Sequence, residues 1–217
     1  MLVEAIYGLS ACVVLSLCLF ALDGSLFSWH PFFMSLGFLT FMTMGVVRSV
    51  TFRPLEGKAR TKAILVHALL QTLALSCALA GLAAIVQNKV HHNKPHLKSL
   101  HAKCGAITAF LAMSASAGGV IAFRKMGVIQ KFPERMHKTL KWMHQNLGLI
   151  AYYSGLLTIE IALTHAAVYK PGWTQVWQVL IAMLATAMLL LVLQRDRSKL
   201  PVHQQPAFDG QQPGKLQ

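Results

Sequence analysis

The run Ala63–Val86, AILVHALLQTLALSCALAGLAAIV, holds one histidine and no charged side chain. A hydrocarbon core about 30 Å thick needs about 20 apolar residues of helix to cross it. Backbone polar groups find no partner in lipid, so a spanning run of this length has to be helical. Five further runs share the pattern: Leu2–Leu22, Trp29–Val50, Leu100–Phe123, Met143–Tyr169 and Trp173–Gln194. The expected fold is all-α, with six transmembrane helices. The second to fifth form a central four-helix bundle.

Composition agrees. Of 217 residues 55% are hydrophobic and 12% charged, and the mean hydropathy is +0.52. Soluble chains carry about twice that charged share. The net charge of +13 would suggest nucleic acid in a soluble protein. Here the cations sit between apolar runs, where anionic lipid head groups are their natural partners; no nucleic-acid partner is expected. Cys12, Cys18, Cys77 and Cys104 show no metal-type spacing and read as small buried hydrophobes. The opening MLVEAIYG has no basic region of the kind a cleaved signal carries, so the first run reads as a retained helix. No phosphate-binding or hydrolase motif is present.

Charge sets the expected orientation. Arg48, Arg53, Lys58, Arg60 and Lys62 follow the second run. Arg124, Lys125, Lys131, Arg135, Lys138 and Lys141 lie between the fourth and fifth, and Arg195, Arg197 and Lys199 follow the sixth. All fall on the side of the N-terminus. The other side has Asp23, three lysines in Gln87–Ser99, and Lys170. The positive-inside rule then places both termini in the cytoplasm. Residues 1–195 read as the transmembrane domain. The Gln- and Pro-rich stretch 196–217 reads as a disordered cytoplasmic tail. Trp29, Trp142, Tyr169 and Trp173 border the runs, as interfacial aromatics do.

Ten histidines divide into two groups. His91, His92, His96, His137 and His203 fall in loops or the tail. His30, His67, His101, His144 and His165 fall within or beside membrane runs, where a polar ionisable group is costly and functional by default. Alternating helix direction puts His30 and His101 in the outer leaflet and His67 and His144 in the inner one. A bis-histidine haem needs two imidazoles at one depth on different helices, and the sequence provides this twice. Small residues extend from each histidine at helical spacing: Gly37 and Gly45; Ala74, Ala78 and Gly81; Gly105, Ala112, Ala115 and Gly119; Gly148, Ala151, Gly155 and Ala162. Such stripes also occur in ordinary helix packing in lipid, but a flat macrocycle needs the space they leave. Small residues near position +14 would pass the second haem. At 1.5 Å per residue this sets the irons about 20 Å apart. Two imidazoles leave iron no open position, which suits electron carriage.

With these residues assembled, the chain resembles the eukaryotic cytochrome b561 family. The string Phe27-Ser28-Trp29-His30-Pro31, followed by His67, His101 and His144, carries the resemblance. It covers about residues 6 to 195. The small size resembles the cytochrome b561 domain-containing subgroup. The resemblance implies two haems b, with helix 2 paired to helix 4 and helix 3 to helix 5. His30 and His101 would ligate one iron, and His67 and His144 the other. It further implies a transmembrane oxidoreductase with cytosolic ascorbate as donor. The acceptor would be monodehydroascorbate or ferric iron on the opposite side. An endoplasmic-reticulum or endosomal vesicle membrane is the expected residence, and a homodimer is compatible.

The donor site that the resemblance implies falls on Arg60, Lys62, Lys138 and Lys141. Ile64 stands where the family pattern leads one to expect a lysine, and His137 and Lys138 stand where it has an arginine. These departures leave other donors open, namely a quinol or a partner protein. A histidine relay in a proton-coupled transporter is the rival that needs no haem. Glu160, in the outer half of the fifth run, is expected to pair with His165 or a loop lysine. The histidine-rich 90–96 loop reads as solvated rather than as a docking site for an iron chelate.

Overall fold

The computed structural model describes residues 1–166 and 168–197, with backbone only for the last three. Six helices long and apolar enough to span a membrane run along the chain. They are α1 Leu2–Ala21, α2 Trp29–Thr51, α3 Gly57–His91, α4 Leu100–Ala122, α5 Glu134–Leu163 and α6 Trp173–Arg197. No strand occurs among the described residues. Beyond residue 197 the expected tail lies outside the described residues.

Local chemistry sets the helix starts. Before α2, the Asp23 carboxylate accepts from the Ser25 N–H at 2.8 Å, and the Ser28 hydroxyl donates to the Ser25 carbonyl at 2.8 Å. This closed turn delivers Trp29 and His30 to the first turn of α2. Pro31 sits in that turn, where a missing N–H costs nothing. Ser99 caps α4 by accepting the Ala102 N–H at 3.2 Å. Pro133 and Glu134 begin α5, the carboxylate lying at the positive end of the helix dipole.

Two starts differ from the hydropathy reading. α3 begins at Gly57 rather than Ala63, and α5 at Glu134 rather than Met143. His67 is therefore ten residues into its helix, and His144, expected to open the fifth helix, is ten residues into it as well. The segments that read as basic loops are helix ends whose charged side chains suppress the apolar signal without breaking the helix. α5 also ends sooner than expected, at Leu163.

Packing follows a pattern of pairs. α2 lies along α3, α4 along α5, and α1 along α6. The α2–α3 pair faces the α4–α5 pair, with α3 against α4 and α2 against α5, more loosely than within each pair. The α1–α6 pair covers the back of α2, burying Ile6, Val13, Leu17, Leu39, Trp177, Leu184 and Met188. The Trp177 indole donates to the Ser16 hydroxyl at 3.0 Å, and the Ser10 hydroxyl donates to the Leu39 carbonyl. α2 is thus the most enclosed span, and α3 and α4 are the least enclosed. In α2 the stretch Leu36–Met42 is a π-helix. The four cysteines are unpaired.

Candidate functional site

The stripes of small residues face inward. Gly37, Gly45, Ala74, Ala78, Gly81, Ala112, Ala115, Ala151 and Gly155 are all buried. They leave room between the two helix pairs for four histidine rings. His30 of α2 faces His101 of α4 with ring centroids 6.0 Å apart and planes at 78°. His67 of α3 faces His144 of α5 at 6.3 Å and 79°.

Each ring is held from behind. The Nδ1–H of His30 donates to the Gly81 carbonyl at 2.9 Å, and that of His67 to the Gly45 carbonyl at 2.7 Å. The Nδ1–H of His101 donates to Thr158 at 3.1 Å, and that of His144 to Ala115 at 2.9 Å. A carbonyl can only accept, so the tautomer is set: Nδ1 carries the proton, and Nε2 keeps its lone pair. Second-sphere bonds of this kind orient a metal-ligating imidazole and raise its basicity. The bonds are reciprocal, α2 with α3 and α4 with α5. The ring pairs run the other way, α2 with α4 and α3 with α5. All four helices are tied to one another by these two sets of contacts.

The separations suit an iron between the rings. A metal–imidazole bond is about 2 Å and the ring centre lies about 1.2 Å behind the nitrogen, so two trans imidazoles have centroids about 6.4 Å apart. Space beside the rings is present too. A side chain at Gly148, one turn on from His144, would meet nothing within 4 Å. At Gly105, one turn on from His101, it would meet only the Thr158 methyl at 3.7 Å. Gly119 is different: its added carbon would press on the His144 ring at 3.0 Å. At this position only glycine lets α4 approach the ring so closely.

The remaining candidates fall elsewhere. Arg60 and Lys62 are exposed on the first two turns of α3, and Lys138 and Lys141 on those of α5. All four lie on the same side of the spans, ahead of His67 and His144. His137 is engaged locally, its Nε2–H donating to the Phe132 carbonyl at 2.9 Å. His165 lies past the end of α5, is exposed, and belongs to neither ring pair. His91 and His92 meet edge to face at 5.1 Å on the opposite side. Glu160 is half-buried on α5, and among the described residues it forms no ion pair, contrary to the expected pairing. The four carbonyls escaped the sequence reading because a main-chain acceptor has no side-chain signature. Only the small residues near +14 hinted at them. The Thr43 and Tyr152 hydroxyls, 3.1 Å apart in the bundle centre, gave no signal.

Fold and site define a class: a six-span helical membrane protein with two stacked histidine pairs inside its central bundle. Within that class the chain belongs to the eukaryotic cytochrome b561 family, whose profile matches residues 29–170. Membership implies a haem b cofactor. The chain is 35% identical over 136 residues to the Bos taurus protein named transmembrane reductase CYB561D2, covering 60% of this chain and 58% of that one. It is 33% identical to the Homo sapiens protein of that name over 144 residues, or 64% and 61% of the two chains. With the Homo sapiens protein named probable transmembrane reductase CYB561D1 it is 29% identical over 181 residues, or 82% and 76%. The match therefore spans about three fifths of the first of these relatives.

Proposed function

We propose that this protein is a transmembrane reductase that carries electrons across the bilayer with two haems b per chain. His30 and His101 would hold one, His67 and His144 the other. The reading rests on one observation: two pairs of imidazoles with ring centroids 6.0 and 6.3 Å apart, each ring with Nδ1 committed to a main-chain carbonyl and Nε2 left with its lone pair. When bound there, each haem would supply a one-electron iron couple. The family match and the names of the relatives support the same reading.

The chain's own residues have two tasks. The buried carbonyls hold the four rings in one tautomer and one orientation, and the surrounding apolar side chains keep water from the bundle. Arg60, Lys62, Lys138 and Lys141 form a cationic surface ahead of the His67–His144 pair, suited to an anionic donor. We assign ascorbate, a monoanion at neutral pH, as that donor on the cytosolic side. The acceptor on the other side is then monodehydroascorbate or ferric iron.

The test uses purified protein in sealed vesicles with ascorbate inside and a ferric chelate or monodehydroascorbate outside. Reduction of the external acceptor, dependent on the protein and on internal ascorbate, supports the reading. A coloured protein that ascorbate does not reduce would move the donor to a quinol or a partner protein. A colourless protein would leave the histidine-relay transporter.

A further inference from the structure

The reciprocal bonds reveal a mismatch in chain length. Fourteen residues separate His67 from Gly81, whose carbonyl accepts from His30. Fourteen likewise separate His101 from Ala115 and His144 from Thr158. In α2, however, fifteen residues separate His30 from Gly45. Fourteen α-helical residues stop about 40° short of four turns, so ring and carbonyl share a face; fifteen overshoot by about 60°. A regular α2 would turn the Gly45 carbonyl about 100° from the placement that the fourteen-residue spacing gives in the other three helices. Yet His30 and the Gly45 carbonyl both reach their partners, and α2 is the helix with a π stretch, Leu36–Met42, between them. A π turn takes one residue more than an α turn.

A clamp holds that stretch. The Thr43 hydroxyl donates to the Phe38 carbonyl, five residues back, at 3.1 Å. Its single proton is thereby used, so the bond at 3.1 Å to Tyr152 has the phenol as donor. The chain from Tyr152 to Thr43 to Phe38 ties the wide turn to α5, midway between the two ring pairs. At the same level the Phe38 ring fills the space a side chain on Gly155 would need.

We propose that the π stretch of α2, clamped by Thr43 and Tyr152, is a positioning device. It absorbs the extra residue and so keeps His30 in register with His101, and the Gly45 carbonyl in register with His67. The proposal rests on the reading of the four histidines as haem ligands.

Single-residue deletions test it, with haem per chain and the electron paramagnetic resonance of each low-spin centre as readouts. Deleting Thr40 leaves fourteen residues between His30 and the glycine, as in the other three helices. Both centres should persist with signals close to the wild type. Deleting Leu73 from α3, which has no π stretch to draw on, should abolish at least one centre. An alanine inserted after Thr40 should do the same. Loss of a centre in a Thr40 deletion that stays monodisperse and helical would overturn the proposal, as would two intact centres in the Leu73 deletion. Should the Thr40 deletion fail to fold, Thr43 decides. Thr43→Val should shift the signal of the His30–His101 centre, and Thr43→Ser should restore it. An unshifted Thr43→Val would overturn the proposal. A wild-type protein without haem would instead refute the underlying ligand reading.

Discussion

Each candidate ligand belongs to a pair, and loss of one partner should cost the whole centre. His30→Ala and His101→Ala should each remove the same one of two haems, and His67→Ala and His144→Ala the other. Haem per chain falls from two to one in each case, as pyridine haemochrome assay would read. His91→Ala, His92→Ala and His96→Ala should leave it at two. If His165→Ala costs a haem and His144→Ala does not, the α5 assignment is wrong. A second prediction concerns room rather than ligation. Gly148→Leu fills space that is open beside His144, so it should weaken haem retention at the His67–His144 centre alone. Gly155→Ala instead meets the Phe38 ring and should cost stability, about 1–3 kcal/mol as for other overpacked cores. Thermal unfolding in detergent separates these effects. At this scale the sequence was informative about side chains and silent about their supports. An imidazole in a membrane run is conspicuous because it is costly. The Gly45, Gly81, Ala115 and Thr158 carbonyls are invisible, since every residue has one.

At the scale of helices, hydropathy located all six spans and misplaced the ends of two. α3 and α5 each begin with a charged stretch that remains helical outside the apolar region. Arg60, Lys62, Lys138 and Lys141 therefore stand on rigid helix ends rather than on loops. The π stretch was also unreadable, because the count of fifteen acquires meaning only once the accepting carbonyl is known. The rigid placement sharpens a prediction about electron entry. Arg60→Glu or Lys62→Glu should slow stopped-flow reduction by ascorbate several-fold, while a neutral donor is affected little. The ascorbate rate should also fall with added salt, since exposed charges are screened over about 10 Å at 0.1 M. Equal slowing with both donors would indicate a disturbed haem. No slowing would move the entry point or the donor elsewhere.

The whole molecule is two facing helix pairs with a third pair behind α2. An even number of spans puts Leu2 and Gln194 on one side, and the cationic helix ends α3 and α5 share that side. Tags at either end should resist protease in sealed cells and become accessible only when the membrane is opened. A terminus cleaved from outside would reverse the orientation and with it the assignment of donor and acceptor sides. The arrangement also shows what four helices provide: hydrogen bonds close α2 on α3 and α4 on α5, α3 meets α4 and α2 meets α5, and the ring pairs reach across the diagonals. About 21 Å of helix, fourteen residues at 1.5 Å each, separates the two levels. With a haem at each level, as proposed, that spacing would let two centres bridge a bilayer that one could not. The most direct test is the haem content and optical spectrum of the protein purified from haem-supplied cells. Two b-type haems per chain, both low-spin with bis-histidine ligation, are the expected result; a colourless protein, or one with a single haem, would contradict it.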